Sequence, residues 1–162
     1  MIGKGKAIAH TQASVAYGWN QEKGAEVVFK QELIGDNPNE ITQEFKMVQD
    51  QNYHCQKNTL SFVISPTIED GKRLQQKDLE MICKRFMKEM KLEQRQAIAF
   101  VHRNKEHTHI HLYVNRIDYR GVAYNDSFIG KRSQYAAEKV AEQMQLTTVK
   151  QVQFEKEFLL KE

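Results

Sequence analysis

Cysteines are few and long apolar runs are missing from this sequence. Only Cys55 and Cys83 occur among 162 residues, without the paired spacing of a redox or zinc motif. We therefore expect two reduced thiols, at least one packed as a small hydrophobic side chain, and no stabilising disulfide. No stretch reaches the roughly 20 apolar residues of a membrane span, and the first residues lack the apolar run of a secretory signal. The composition thus predicts a cytoplasmic protein with no membrane span.

Neither sign of charge dominates the chain. Lysine and arginine total 24 against 21 aspartate and glutamate residues, a net charge of +3. This weak excess permits a polyanionic partner without requiring one. Most cationic side chains are solvated, so only their clustering around residues 102–115 favours an anionic ligand. Cationic residues that fall in pairs or beside candidate strands are Lys4, Lys6, Lys72, Arg73, Lys84, Arg85, Arg103, Lys105, Arg116, Arg120, Lys131 and Arg132.

The length and the 40% hydrophobic content fit one domain with a substantial core. Apolar periodicity predicts strands at 5–10, 25–35, 58–66, 97–102 and 107–117, and helices at 11–20 with Thr11 as N-cap, 37–52, 74–90 and 131–146. A turn is expected at 69–72, and the tail after residue 147 fits either a strand or a helical turn. These elements predict an α+β two-layer sandwich, with a central, mostly antiparallel five-stranded sheet. We expect helices on one face and the other face free to bind something large.

The segment His102–Asn115, HRNKEHTHIHLYVN, holds four of the six histidines within ten residues. Alternate side chains of a strand share a face. One face is therefore apolar, and the other carries His107, His109, His111, Tyr113 and Asn115. Neutral imidazoles at positions i and i+2 of a strand converge on one divalent ion.

A hairpin would bring His102 beside this histidine face. Three imidazoles, from His102, His109 and His111, bind a metal while leaving coordination positions open, as catalytic rather than structural sites do. His107 shares the face, but three ligands already suffice without it. The segment therefore predicts a metal centre on the strand near the middle of the sheet.

The extended pattern resembles a known family. His102, six residues, His109, one residue, His111, three residues and Asn115 resemble the third motif of relaxases, or mobilisation nucleases, a branch of the HUH endonucleases. The similarity runs from the YGWNQEK segment, which starts at Tyr17, to the helix ending near residue 146. It implies one relaxase domain over residues 1–162, the amino-terminal part of a longer protein.

The resemblance implies a mechanism. Tyr17 matches the tyrosine that attacks a phosphodiester in single-stranded DNA, giving a 5′-phosphotyrosine link and a free 3′-hydroxyl. A neutral phenol is a poor nucleophile, so it needs a proton acceptor and an electrophile polarised by metal. We expect Mg²⁺ or Mn²⁺, with Zn²⁺ as the alternative. His10 competes for the nucleophilic role, and Tyr113 and Tyr124 are weaker candidates.

Two residues bear on the identity of the general base. Asn104 stands where many relatives carry an aspartate that could orient an imidazole or accept the tyrosine proton. Glu106 is the nearest carboxylate in the sequence, and its alternative reading is an exposed loop residue.

Several residues are candidates for contact with DNA. Ser65 matches a family serine at the end of the central strand, with an ordinary strand-ending serine as the alternative. Trp19 would stack on a base or pack in the core. The remaining candidates, which would contact phosphates or the strand near the cleft, are Arg103, Lys105, Arg116, Lys131, Arg132 and Asn115.

The predicted function is metal-dependent nicking of one DNA strand at the transfer origin of a plasmid or mobile element, for conjugative mobilisation. The resemblance adds accessory mobilisation proteins and a coupling ATPase as partners. The alternatives are a rolling-circle replication initiator, a non-catalytic module that binds single-stranded DNA, and an unrelated three-histidine enzyme acting on small molecules. The basic flanks favour an open groove over an enclosed small-molecule pocket.

Overall fold

A computed structural model describes residues 1–19, 25–104 and 106–161 of the chain. The elements in chain order are β1 (Ile2–Ile8), α1 (Thr11–Gly18), β2 (Glu26–Gln31), α2 (Pro38–Gln49), β3 (Thr59–Ser65), α3 (Ile68–Arg73), α4 (Gln76–Glu89), β4 (Ala97–Asn104), β5 (His107–Asn115), α5 (Ile129–Gln143) and α6 (Val149–Lys161).

One five-stranded sheet organises the protein. Its strand order is β1-β3-β5-β4-β2, and every ladder is antiparallel. The predicted α+β fold is therefore confirmed, and β5 is the central strand. β4 and β5 form a hairpin in which His102 lies directly opposite His109.

The main core lies between one face of this sheet and helices α4 and α5. Apolar residues alternate along the strands, so Phe62 and Ile64 of β3 and Leu112 of β5 point to this face. Helix α4 contributes Ile82, Cys83 and Phe86 at helical spacing. Cys83 is thus packed as a small hydrophobic residue, as predicted, and both cysteines are free thiols.

A second, smaller core covers part of the opposite face. Val15 of α1 and Phe45 of α2 pack against Ile98, Phe100 and Tyr113 of the sheet. Helices therefore lie on both faces of the sheet, whereas the sequence pattern predicts them on one face. Helices α1 and α2 cover the end of the opposite face near the start of β3, and no helix in the described part of the chain covers the end near Ser65.

Some local predictions are corrected. Thr11 is the first residue of α1 rather than its N-cap, which is His10; its hydroxyl forms a buried hydrogen bond with that of Thr59. Residues 69–72 belong to α3, because the hydroxyl of Thr67 accepts from the Asp70 amide and starts a helix. The ambiguous tail is helix α6, which buries no residue. None of the helices in the described part of the chain is long and apolar enough to cross a membrane.

Glycine and lysine alternate along the edge strand β1. A Cβ atom on Gly3 would lie 2.5 Å from the Ser133 carbonyl oxygen and 2.8 Å from Cβ of Ala137, both on α5. Gly5 is crowded in the same way by Ser133 and Phe62. Helix α5 therefore packs directly on the backbone of β1, and the lysines between the glycines point to the opposite face.

We predict that Gly3→Ala destabilises the protein. Alanine in a strand is intrinsically better than glycine by roughly 0.5–1 kcal/mol, but the overlap with rigid backbone atoms should cost about 1–3 kcal/mol. The net loss is measured by urea unfolding. Lys4→Ala on the exposed face is the control, with an expected change within about 0.5 kcal/mol. Equal stability of the two variants would contradict this packing.

Candidate active site

The β4–β5 hairpin brings the predicted histidines together. His102 pairs with His109 across the ladder, and His111 follows two residues later on the same face. The ring centroids of His102 and His111 are 4.4 Å apart. His107 continues the row at the end of the hairpin, with its ring stacked 6.0 Å from that of His109.

Burial keeps two of these imidazoles neutral. Burial, and then the neighbouring His102 and His109, lowers the pKa of His111 to about 4. Burial, followed by His107 and His102, also lowers the pKa of His109. Apolar surroundings disfavour the charged imidazolium and therefore favour the unprotonated ring. Both residues therefore present the neutral form that binds metals.

Helix α1 places Tyr17 beside this cluster. Its last residue, Gly18, lies so close to the sheet that a Cβ atom there would be 2.5 Å from the Phe100 ring. The Gly18 carbonyl accepts a 3.2 Å hydrogen bond from Nε2 of His102. The Tyr17 ring consequently lies 5.6 Å from the ring of His102 and 6.3 Å from that of His111, with 48% of the residue exposed.

The competing nucleophiles are less favourably placed. Burial, and then Tyr17, raises the pKa of Tyr113 to about 12, so its phenol is harder to ionise. His10 caps the other end of α1, about 10 Å from Tyr17 along the helix axis. Tyr124 donates to the Met90 carbonyl in the main-core region. Among these four residues, Tyr17 has the exposed position next to the histidines.

Ser65 lies in the candidate site, at the end of β3. Its hydroxyl shares a 2.8 Å hydrogen bond with Nδ1 of His109. A bond to one ring nitrogen fixes the orientation of the imidazole and leaves the other nitrogen for a ligand. The structure thus gives Ser65 a second role, that of orienting a histidine, beside the predicted contact with DNA.

The donor chemistry of the three histidines suits a divalent metal, and their present hydrogen bonds limit how it could bind. A carbonyl only accepts, so Nε2 of His102 carries a proton and its Nδ1 has the lone pair when the ring is neutral. Coordination through Nε2 would require the bond to Gly18 to break. In the part of the chain that the structure describes, no three His, Cys, Asp or Glu side chains are already arranged as a metal-binding group.

Two predicted DNA contacts are instead structural. Asn115 is completely buried; its amide nitrogen donates to Phe45 and Gln96, and its oxygen accepts from the Ile117 amide. Arg103 points to the opposite face of the sheet, where its guanidinium donates to the carbonyls of Gly71 and Leu74. Asn115 thus lies on the histidine face but is covered by α2, and Arg103 lies on the opposite face, so the structure places neither side chain beside the histidine cluster.

Three more basic residues lie at the wrong end of the sheet. Arg116 follows the end of β5, roughly 20 Å along the strand from His109, and it donates to Lys57, Tyr124 and Asp126. Arg132 donates to the Tyr124 hydroxyl in the same region, and Lys131 lies over the Phe128 ring. The structure therefore places these three residues away from the histidines. Lys105 lies outside the described residues.

Trp19, Asn104 and Glu106 are the remaining candidates that the structure describes. Trp19 is half-buried, with its ring 5.4 Å from that of Phe100, so it packs against the second core. Asn104 ends β4 opposite His107 and faces the same way as His102. Glu106 is exposed in the hairpin turn.

Lys4 and Lys6 lie near the site, although the sequence motifs do not include them among the predicted DNA contacts. Lys4 pairs with Val63, which pairs with His111, so all three share one face. Lys6 pairs with Ser61 on the same face. The alternation of glycine and lysine in IGKGKAI was the available signal, because it indicates a strand with one crowded face and one charged face.

Comparison with known proteins agrees with this geometry. The family model for the relaxase, MobA/VirD2-like nuclease domain, matches residues 17–146. The match begins at Tyr17 and includes the whole β4–β5 hairpin, whereas β1 and α6 lie outside it. No curated protein and no solved structure matches the chain.

We predict that Gly18→Ala moves α1 away from the sheet. The new methyl group would overlap the Phe100 ring, and this cost of about 1–3 kcal/mol should exceed the roughly 1 kcal/mol that alanine gains in a helix. Trp19 is the only tryptophan, so its fluorescence reports the movement as a red shift. Ala16→Ser, on the exposed side of α1, is the control. An unchanged spectrum for Gly18→Ala would show that the helix tolerates the methyl group in place.

Proposed function

Because the chain belongs to the relaxase family of MobA/VirD2-like nuclease domains, we propose that it nicks one strand of DNA by covalent attack of Tyr17 on a backbone phosphate. The observation that carries this proposal is the exposed phenol of Tyr17 beside His102 and His111. The family consists of DNA nucleases that act on single strands, and the open end of the histidine face suits a polymer.

The proposed reaction exchanges one phosphodiester for another. The Tyr17 oxygen bonds to phosphorus, the bond from phosphorus to the 3′-oxygen breaks, and that oxygen leaves as a hydroxyl after gaining a proton. The 5′-phosphotyrosine link keeps the energy of the original bond, so a 3′-hydroxyl can reverse the step. The phenol proton must pass to an acceptor, and an amide such as Asn104 is not basic enough. Glu106 is the carboxylate in the same hairpin that we test for this role.

We further propose that His102, His109 and His111 hold a divalent cation, Mg²⁺ or Mn²⁺. When bound, the ion supplies positive charge against the negative charge that develops on the phosphate oxygens. Ser65 keeps the His109 ring oriented, and burial keeps His109 and His111 unprotonated for binding.

The finer biological role is part of this proposal. Sequence-specific nicking at the transfer origin of a plasmid or mobile element would start conjugative mobilisation, together with accessory mobilisation proteins and a coupling ATPase. The domain would then act as the amino-terminal part of a longer protein. The match to the relaxase family supports this context over a three-histidine enzyme for small molecules.

We expect Tyr17→Phe to abolish covalent adducts. The protein is incubated with a pool of single-stranded oligonucleotides and Mn²⁺ or Mg²⁺, and adducts are separated by denaturing electrophoresis. Phenylalanine keeps the ring contacts but has no oxygen to attack phosphorus. Tyr113→Phe is the matched control and should retain adducts, as should His10→Gln. A base role for Glu106 would appear as a roughly 100-fold slower reaction in Glu106→Gln.

The outcomes separate the proposals. Adducts with Tyr17→Phe at the parent level would mean that another residue is the nucleophile. Tight binding of oligonucleotides without any adduct would favour the non-catalytic binding module.

Metal binding has its own test, independent of activity. In Mn²⁺ titration calorimetry, His109→Ala and His111→Ala should each weaken binding by at least about 100-fold, and Ser65→Ala, which only orients a ligand, by about 10-fold. His54→Ala, an exposed histidine in the loop after α2, is the control. Unchanged affinity in His109→Ala would overturn the three-histidine site, and a loss in His107→Ala would add that residue to it.

A further inference from the structure

We propose that Lys4 and Lys6 form a phosphate-binding strip on the edge strand β1, over which one arm of the single-stranded DNA passes beside the nicking centre. The two residues are called the lysine strip below. This inference deepens the proposed function and rests on it, since it identifies where the substrate leaves the histidines.

The strand register places the lysine strip on the histidine face. Lys4 is opposite Val63 on β3, and Val63 is opposite His111 on β5. Directly opposed residues of antiparallel strands point the same way, and two strand spacings give about 10 Å between the backbones of Lys4 and His111. Lys6 lies about 7 Å further along β1.

The lysines cannot turn away from this face. Gly3 and Gly5 alternate with them, and both glycines are pressed against α5, which leaves no room for a side chain. Lys4 and Lys6 are exposed on the other side. Among the described strands, β1 pairs with β3 alone, and the Gln134 side chain bonds the backbone of its outer edge at Met1 and Gly3. A polymer lying over the histidines can therefore continue across β3 and leave the sheet over the lysines.

The described elements between the lysines and the histidines carry no acidic residue. Strands β1, β3 and β5 and helix α1 contain no aspartate or glutamate. Within the described residues, neither lysine forms an ion pair or a side-chain hydrogen bond. By contrast, Arg103, Arg116 and Arg132 are held by carbonyl or carboxylate groups of the protein.

The residues between the lysine strip and β5 also suit contact with a nucleic acid. Ile2, 45% exposed, lies opposite Ser65 and offers an apolar contact to a sugar or base. Ser61 and Val63 are half-buried between the lysines and β5. A positively charged groove that tracks the phosphate backbone is typical of proteins that bind a single strand without reading its sequence.

The salt dependence of DNA binding tests the lysine strip. Affinity for a random-sequence single-stranded oligonucleotide is measured by fluorescence anisotropy between 50 and 200 mM salt, with all variants in the Tyr17→Phe background. Each phosphate contact contributes about 0.7 to the slope of log K against log salt, so Lys4→Gln/Lys6→Gln should lower the slope by about 1.4. Over this fourfold salt range, the parent should lose about sevenfold more affinity than the double variant.

Two control variants separate phosphate binding from other effects. Lys4→Arg/Lys6→Arg keeps both charges and should keep the parent slope. Lys77→Gln/Lys88→Gln removes two exposed charges from α4, on the other side of the molecule, and should also leave the slope unchanged.

A slope for Lys4→Gln/Lys6→Gln equal to that of the parent, in a protein whose Tyr17 form still makes adducts, would overturn the lysine strip and leave the nicking function intact. An equal fall in the α4 control would also overturn it, because the effect would then come from net charge. A parent that neither binds oligonucleotides nor forms adducts would overturn the proposed function, and the strip with it.

Discussion

The contact between Gly18 and the ring of Phe100 is the constraint on which the geometry of the candidate site depends. Helix α1 reaches the sheet there only because residue 18 has no side chain. That approach lets the Gly18 carbonyl accept from His102 and brings Tyr17 to the imidazoles. At its other end, the helix is tied by the hydroxyl pair of Thr11 and Thr59. A helix of eight residues has little stability of its own, so these contacts with the sheet fix the position of Tyr17.

Arginine and lysine have different tasks in this fold. A guanidinium has five donors in a rigid plane and can satisfy several carbonyls at once. Arg95, Arg103, Arg116 and Arg132 do so, each donating to two backbone carbonyl oxygens. Lysine is a point charge on a flexible stem, and Lys4 and Lys6 keep theirs in solvent. Among the described residues, Lys4 and Lys6 therefore leave their charges available on the histidine face.

The central features were predictable because they depend on local periodicity. Alternation alone places His109 and His111 on one face, and a hairpin brings His102 to them, as the structure shows. The position of Tyr17 in the site came from resemblance to a family, since its neighbours in space are 85 or more residues away in sequence. The failures have the same physical origin. Their positions in and beside the motif predict that Arg103 and Asn115 contact DNA. Only the tertiary fold reveals the backbone carbonyls to which they donate.

The second face of the sheet shows a similar limit. Nothing in the pattern of α1 indicated that it would cross to the face opposite α4 and α5, because a short helix with few apolar residues can pack on either side. The crossing follows from Phe100, Tyr113 and Ile98, which are apolar residues on the otherwise polar histidine face and need cover. Those three residues divide the face into a packed end and an open end. The open end is where Tyr17 and the histidines meet.

At the open end of the histidine face, the neutral histidines and the charged lysines differ in what they can bind. Burial and mutual repulsion keep His109 and His111 uncharged near neutral pH, so these rings do not attract phosphate but do offer lone pairs to a cation. Attraction of a polyanion needs charges that persist at that pH, which lysine supplies. The distance between the lysine ammonium groups and the histidines determines how strongly the lysines repel a cation there. In water, an ammonium repels a divalent ion by about 2 kcal/mol at 4 Å but by only about 0.8 kcal/mol at 10 Å. Lysines whose ammonium groups stay at the edge of the sheet would therefore repel a cation at the imidazoles only weakly.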